Sequence, residues 1–272
     1  IKLSDEHVVA YFNIHHVVFD GGSVGPFGRK LLALMDPTFD GGAPALQYLD
    51  YTAWKERVVT PEVIANEVSF YRAALEGAPT LLDIQTTFKR PSDIAQMRGA
   101  SLKRIVEKDL FTQIERFVAA ASSSMTLFSL LLSAFGAALG VHSKQSKVVV
   151  GTASANRPEE ELEDMLGYFV NVFPVPICLE SDDGTRSLPL PEVAKTTQSY
   201  LLSAFENQNV NVADLVEHLG DAIERDPTRS PIFQALLVLQ NNDMGPGSED
   251  AEAMLLDYVH DAMPAKFEIM LQ

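Results

Sequence analysis

Residues 15–21 of this chain read His-His-Val-Val-Phe-Asp-Gly, and they lie where the character of the sequence changes abruptly. The residues before them, Val8 to Ile14, mix β-branched and aromatic side chains with polar ones, which predicts a strand. The residues after them begin a turn, and Ser23 can cap a helix that runs to about Met35. The sequence therefore predicts a strand-to-helix corner at this stretch.

The two adjacent histidines at this corner are candidates for proton transfer. Neighbouring residues of a strand point in opposite directions, so we expect one of His15 and His16 to pack inward and the other to face a cavity. A neutral imidazole suits removal of a proton from an amine or alcohol that attacks an acyl carbonyl. Gly21 supplies backbone freedom for the turn. From these residues alone, two packed histidines beside a turn aspartate, Asp20, stay an open alternative.

The sequence gives no sign of a metal site or of an internal disulfide. His15 and His16 lack the i, i+4 spacing of a helical ligand pair, and no third ligand is recognisable near them. Cys178 is the single cysteine, which excludes an internal disulfide and fits a reducing cytoplasm. We therefore expect no bound metal and a cytoplasmic location.

Composition and charge indicate a globular protein that does not bind nucleic acid. The chain has 272 residues, of which 46% are hydrophobic and 21% charged, enough for one large domain or two lobes. Its formal net charge of -16 is opposite to what a phosphate backbone attracts. The chain opens without Met at Ile1 and ends within the strand pattern of residues 267–271, so we expect both ends to be cuts through a longer polypeptide, and no signal peptide is visible.

Further helices and strands are predicted from periodicity and from capping residues. The apolar run 127–141 contains serines and glycines and is shorter than the roughly 20 residues of a bilayer span, which predicts a buried helix. Residues 48–54 feed a helix, and other helices are predicted at 61–76, 110–121, 191–206 and 212–219. Strands are predicted at 147–152, 168–177, 233–240, 254–259 and 267–271, and residues 241–251 are predicted to be a loop. Residues 86–100 lack periodicity, which indicates a linker and a lobe boundary near residue 95.

The order and spacing of several motifs resemble those of the condensation domains of nonribosomal peptide synthetases, over nearly the whole chain. The similar segments are residues 15–21, 48–54 (Tyr-Leu-Asp-Tyr-Thr-Ala-Trp), 70–79, 151–152 with 156–157, 166–171 (Leu-Gly-Tyr-Phe-Val-Asn) and 225–231 (Arg-Asp-Pro-Thr-Arg-Ser-Pro). One segment and one further residue depart from the family pattern. Residues 208–212 read Gln-Asn-Val-Asn-Val where the family usually has an aspartate, a proline and a phenylalanine, and Val172 replaces a common threonine.

The resemblance implies an α/β fold, of the α+β two-layer type, built from chloramphenicol-acetyltransferase-like lobes. Residues 1–95 would form the C-terminal part of the first lobe, and residues 96–272 would form a second lobe that is incomplete at its end. The histidine motif would lie at the junction of the lobes. Because two motifs that the family carries upstream of the histidines are missing here, we expect the chain by itself to be inactive.

The resemblance also implies roles for individual residues. His16 would orient or deprotonate the acceptor amine as it attacks the donor thioester, with His15, Asp20 and Gly21 supporting the loop. Arg157, Asn171 and Ser23 are the residues expected to bind substrate or to support the site. We expect Arg157 to pair with Asp20, because a buried carboxylate without a partner is costly.

The implied activity is that of an amide-forming acyltransferase. No cofactor would be bound directly, since the substrates are carried on the phosphopantetheine of carrier proteins. The implied partners are peptidyl or acyl carrier domains and a neighbouring adenylation domain, in the same or a partner megasynthase, with no nucleic acid and no membrane.

Two other functions stay open for a sequence of this kind. A related acyltransferase or an epimerisation domain shares the histidine motif. Epimerisation needs a second proton-transfer group, to which no segment is assigned, and plant-type acyltransferases carry a late motif with a tryptophan, whereas Trp54 is the single tryptophan here. A homologue that binds carrier proteins without doing chemistry is the non-enzymatic alternative.

Overall fold

The computed structural model describes residues 4, 9–39, 41–42, 46–92, 98–121, 124–181, 183–240 and 267–272. The fold is mixed α/β, which confirms the predicted class. The described residues group into two compact units. The first lies within Ile1–Val58 and Ala155–Val170, and the second lies within Val59–Ser154, Asn171–Gln240 and residues 267–272.

Seven α-helices are found among the described residues. The first unit contains α1 (Val24–Leu34) and α2 (Tyr48–Val58), and the second contains α3 (Pro61–Ala74), α4 (Lys108–Ala120), α5 (Leu127–Ser143), α6 (Leu190–Glu206) and α7 (Val212–Leu219). Local side-chain caps fix several helix starts. Thr60 accepts a hydrogen bond from the backbone N–H of Val63, while Thr126 and Asn211 begin α5 and α7 with reciprocal capping boxes.

A four-stranded sheet in the second unit has the order β2-β1-β3-β4. Its strands are β1 (Lys147–Ser154), β2 (Asn171–Cys178), β3 (Ala235–Leu237) and β4 (Ile269–Leu271). The β1 and β2 strands pair antiparallel over eight residues each, whereas β1 with β3 and β3 with β4 are parallel pairs. Three successive residues of β1, Val148 to Val150, are each at most 3% exposed, so both faces of this central strand are covered. Helices α5 and α6 pack against β1 and β2 and complete the core.

Most predicted elements are confirmed, with shifts at their ends. The strand predicted at 168–177 begins only at Asn171, and the one predicted at 233–240 is shortened to β3. The strand predicted before the histidines is wrong for residues 9–14, none of which lies in a strand. A strand needs a neighbour for its N–H and C=O groups, and side-chain composition cannot supply one. The loop predicted at 241–251 and the strand predicted at 254–259 lie outside the described residues.

The lobe boundary near residue 95 stays a prediction. The compact units divide the chain at other places, because residues 59–92 pack within the second unit and residues 155–170 return to the first. Among the described helices, none combines the length and the apolar character that a bilayer span requires.

Two tyrosines of the second unit, Tyr71 and Tyr200, differ in the hydrogen bonding of their hydroxyl groups. The hydroxyl of Tyr200 donates to the carbonyl of Pro174 at 2.8 Å, whereas the buried hydroxyl of Tyr71 has no hydrogen-bond partner among the described residues. Burial, and then the nearby charge of Glu67, raise the pKa of Tyr71 above its ordinary value, so this hydroxyl stays protonated.

We expect Tyr71→Phe to keep the local free energy of unfolding unchanged or to raise it by about 1 kcal/mol, because it removes an unpaired buried hydroxyl. Tyr200→Phe should lower it by about 1 kcal/mol, because the Pro174 carbonyl loses its donor. Hydrogen exchange of peptides from α3 and α6 measures both effects. A larger loss of protection in Tyr71→Phe than in Tyr200→Phe would contradict this prediction.

Candidate active site

Two successive 3₁₀ turns, His16–Val18 and Gly21–Ser23, form the histidine motif. The Nδ1 atom of His15 accepts a hydrogen bond from the backbone N–H of Val17 at 3.1 Å and begins the first turn. The carboxylate of Asp20 begins the second turn, since it accepts the backbone N–H of Ser23 at 2.9 Å and the Ser23 hydroxyl at 2.8 Å. Side chains of the motif therefore cap their own backbone and tighten the chain into turns.

The prediction that one of the two histidines packs inward is wrong, because both His15 and His16 are exposed. Alternation of side chains holds for a strand, and here the backbone turns at His16. The His16 ring lies edge-on to Tyr168, with ring centroids 5.2 Å apart and an angle of 80° between the planes. The imidazole of His15 thus caps the first turn, and the exposed imidazole of His16 contacts the ring of Tyr168.

Asp20 is the buried anchor of the motif, with only 3% of its surface exposed. Its Oδ1 atom accepts a hydrogen bond from Nη2 of Arg157 at 2.9 Å, which confirms the expected ion pair. Its Oδ2 atom accepts the backbone N–H groups of Phe169 at 2.9 Å and of Val170 at 3.3 Å. Both oxygens are therefore used within the fold.

The surroundings of Asp20 keep it ionised. Burial alone would raise the pKa of the carboxyl group, but the hydrogen bonds from Phe169 and Ser23 and the charge of Arg157 outweigh it and hold the pKa below its ordinary value. The carboxylate is thus a fixed negative charge that organises donors around it and has no oxygen free for substrate.

Arg157 connects the motif to the segment of residues 162–170. Its side chain is 7% exposed, and its Nη1 atom donates to the carbonyl groups of Leu162 and, at 2.6 Å, of Met165. The guanidinium also lies over the ring of Phe169, 4.0 Å from the centroid, in a cation–π contact. The Arg157 side chain therefore joins Asp20 of the motif to the carbonyl groups of Leu162 and Met165 and to the ring of Phe169.

Ser23 makes a second connection to the same segment. Its Oγ accepts the backbone N–H of Gly167 at 3.1 Å and lies 3.0 Å from the Gly167 carbonyl. Ser23 occupies the predicted N-cap position of α1, but its side chain makes no capping bond to that helix. Its hydroxyl is used by Gly167 and Asp20 instead. A side chain at Gly167 would not fit, because a Cβ atom there would lie 2.2 Å from Cδ2 of Tyr48.

Gly22 faces the guanidinium of Arg157 closely. A Cβ atom at Gly22 would lie 2.8 Å from Nε of Arg157, and that side chain is fixed by its buried hydrogen bonds. We expect Gly22→Ala to destabilise the motif by about 1–3 kcal/mol, as in other overpacked sites. Hydrogen exchange of peptides covering residues 15–24 measures the loss.

The matched control for Gly22→Ala is Gly28→Ala. Gly28 lies within α1, and a Cβ atom there would meet nothing within 4 Å. Because alanine favours a helix over glycine, this substitution should stabilise α1 by up to about 1 kcal/mol. Equal protection of the motif in the two variants would refute the close contact at Gly22.

Asn171, which was expected to bind substrate or support the site, belongs to the second unit. Its Nδ2 atom donates to the carbonyl groups of Gln208 at 2.8 Å and of Val210 at 3.0 Å. Asn171 thereby holds residues 208–212, the segment whose sequence departs from the family pattern. Its support of the site stays a prediction.

The structure also brings in residues whose contribution was not predicted. These are the backbone amides of Phe169 and Val170, the small Gly167, and the rings of Tyr48 and Tyr168. The only sequence signal for them was the motif at residues 166–171, which does not state what its backbone does. The described residues contain no group of three or more His, Cys, Asp or Glu side chains placed to share a metal ion.

The fold is that of solved condensation-type domains. The structure matches the holo form of a four-domain nonribosomal peptide synthetase bound to AMP and glycine with a TM-score of 0.73 and 22% sequence identity, over 93% of this chain and 18% of that chain. It also matches the X-domain from teicoplanin biosynthesis with a TM-score of 0.68 and 22% identity, over 82% of this chain and 50% of that one.

The chain belongs to the condensation domain family, whose model matches residues 1–269. It is 32% identical over 248 residues to the malpinin synthetase of Mortierella alpina, covering 89% of this chain and 3% of the relative. It is 29% identical over 279 residues to the phosphinothricin tripeptide synthetase PhsC of Streptomyces viridochromogenes, covering 100% of this chain and 24% of the relative. The chain therefore spans a small part of the length of these relatives.

Proposed function

We propose that residues 1–272 belong to a domain that condenses a carrier-bound acyl or aminoacyl thioester with an amine acceptor. The acceptor nitrogen attacks the thioester carbonyl, the C–N bond forms, and the C–S bond breaks. The amine gives up one proton, and the departing sulfur leaves as a thiol. The observation that carries this proposal is the exposed imidazole of His16 on a turn that the buried Asp20 and Arg157 anchor.

His16 is the proposed group that orients or deprotonates the amine. Its ring is exposed, and its ring nitrogens make no hydrogen bond within the described part of the chain. His15 is less suited to this role, because its Nδ1 atom is used by the N–H of Val17. We assign His15, Asp20 and Gly21 to support of the turn, and Ser23 and Arg157 to its attachment.

The chemistry proposed for His16 requires only that the two reactants are positioned and that one general base is present. Bringing two tethered reactants together in a reactive orientation can replace roughly 7 kcal/mol or more of the barrier. A single general base typically contributes a further 10²- to 10⁴-fold. Neither contribution requires a cofactor bound to this chain.

The proposed substrates arrive on phosphopantetheine arms of carrier domains, and the proposed partners are those carriers with a neighbouring adenylation domain. The named relatives support this, since both are synthetases, one of them of a tripeptide, and one structural neighbour is a four-domain nonribosomal peptide synthetase. We place the reaction in the cytoplasm.

The test is a condensation assay with the complete protein that carries these residues. A donor aminoacyl group and an acceptor aminoacyl group are loaded on their carriers, and the amide product is detected by mass spectrometry. We expect an amide product that depends on both carriers. Deuterium exchange at the donor α-carbon without an amide would favour epimerisation, and product formation from a coenzyme A thioester with a free amine or alcohol would favour a related acyltransferase. A folded protein that yields none of these products would favour a carrier-binding homologue without chemistry.

A further inference from the structure

We propose that Tyr168 is a positioning residue for His16, an inference that rests on the proposed function of that imidazole. The two rings meet in an edge-to-face contact, with centroids 5.2 Å apart and planes at 80°. Tyr168 keeps 42% of its surface exposed, so its ring is not placed there by core packing. Its one described aromatic neighbour is the imidazole.

The backbone on both sides of Tyr168 is fixed, which fixes the origin of its side chain. Before it, Gly167 is hydrogen-bonded through its N–H to the hydroxyl of Ser23 at 3.1 Å. The carbonyl of Tyr168 accepts a hydrogen bond from the hydroxyl of Tyr48 at 2.6 Å. After it, the N–H of Phe169 donates to the Asp20 carboxylate at 2.9 Å. Gly167 and Phe169 are therefore attached to the turn that follows the histidine, and Tyr168 between them is attached to the start of α2.

His16, by contrast, has little else to hold its ring. The residue is exposed, and the imidazole nitrogens have no hydrogen-bond partner in the described part of the chain. Without a neighbour the ring would sample several rotamers, and only some of them aim a nitrogen at an attacking amine. An edge-to-face contact of this kind favours one orientation by about 2- to 10-fold. Asp20 and Tyr168 thus act at different levels, because Asp20 fixes the backbone of the motif and Tyr168 fixes the ring.

The contact is made by the tyrosine ring, so the hydroxyl group is dispensable. Phenylalanine at this position should preserve the orientation of the imidazole, and alanine should release it. The effect of the alanine should fall on kcat, because the ring orients a reacting group and does not bind the carrier. These two substitutions separate positioning from a chemical role of the phenol.

The experiment measures amide formation by the complete protein with both carriers loaded. We expect Tyr168→Ala to lower kcat by about 2- to 10-fold at unchanged KM, and Tyr168→Phe to retain the full rate. In a His16→Ala background, Tyr168→Ala should cause no further loss, since the ring that it positions is gone. Phe111→Ala serves as the control, because Phe111 is 41% exposed on α4 of the second unit.

A second readout does not depend on turnover. Diethyl pyrocarbonate modifies exposed imidazoles, and peptide mass spectrometry with fragmentation measures the rate at each histidine. Tyr168→Ala should change the rate at His16 by about 2- to 10-fold and leave the rate at the exposed His142 unaltered, whereas Tyr168→Phe should change neither.

The possible outcomes separate the two proposals. An unchanged amide-forming rate in His16→Ala contradicts the proposed function. A large loss in His16→Ala together with an unchanged kcat in Tyr168→Ala overturns only the positioning role. That role is also overturned if Tyr168→Phe is impaired as much as Tyr168→Ala, or if Tyr168→Ala still lowers the residual rate when His16 is absent.

Discussion

Replacing His16 with alanine is expected to lower the rate of amide formation at least about 100-fold, the contribution typical of one positioned general base. The ring of His16 is exposed and meets the ring of Tyr168 in an edge-to-face contact. Removing this ring should therefore affect the chemistry far more than the fold. Single-turnover assays of the complete protein with both carriers loaded measure the loss.

Two other histidines provide controls for this prediction. His15→Ala removes the acceptor of the Val17 N–H and should loosen the turn, with a smaller loss of about tenfold. His142→Ala, at an exposed position near the end of α5, should keep the full rate. A His16→Ala protein that is folded and retains more than about a tenth of the rate would remove His16 from the role of general base.

Replacing Arg157 with alanine is expected to destabilise the histidine motif by about 3–5 kcal/mol, the cost typical of breaking a buried ion pair on one side. The side chains of Arg157 and Asp20 are only 7% and 2% exposed. Without Arg157 the carboxylate stays buried and loses its cation, while the carbonyl of Met165 loses its donor. Peptides covering residues 15–24 and 162–170 should lose protection from hydrogen exchange together.

The first unit contains a matched control for this prediction. Arg29 and Asp164 form an ion pair at 2.6 Å, but their side chains are 45% and 76% exposed. Arg29→Ala should cost less than about 1 kcal/mol, because water solvates a charge that is left behind at the surface. Equal losses of protection in Arg157→Ala and Arg29→Ala would show that burial does not set the strength of the Asp20 pair.

The helices were predictable because the signals that start and stop them are local. Helix α7 has the predicted bounds, Val212–Leu219, and α6 begins one residue before its predicted start. Asn211 caps α7 from the adjacent position in the sequence. Strands were less predictable, because a strand exists only where another strand pairs with it. Residues 10–14 have the composition of a strand and no such partner among the described strands.

The candidate site was predictable where it depends on charge and not where it depends on backbone. The pairing of Asp20 with Arg157 followed from the cost of a buried carboxylate together with the motif that contains each residue. The amides of Phe169 and Val170 were missed, because every residue except proline carries an N–H and the sequence does not mark those that are used. The exposure of both histidines was missed because the bond from the Val17 N–H to His15 replaces strand geometry with a turn.

The attachment of Asp20 to Arg157 joins positions 137 residues apart, and residues 59–154 between them pack in the other compact unit. During synthesis at about 5–20 residues per second, the histidine turn is made roughly 7–30 s before the arginine that anchors it. Throughout that interval Asp20 has no Arg157 to neutralise it and no amide from Phe169 or Val170 to bind. The histidine turn is therefore anchored only after residues 157–170 have been made, so ribosome pausing between these two segments prolongs the period in which this part of the protein is open to proteases and chaperones.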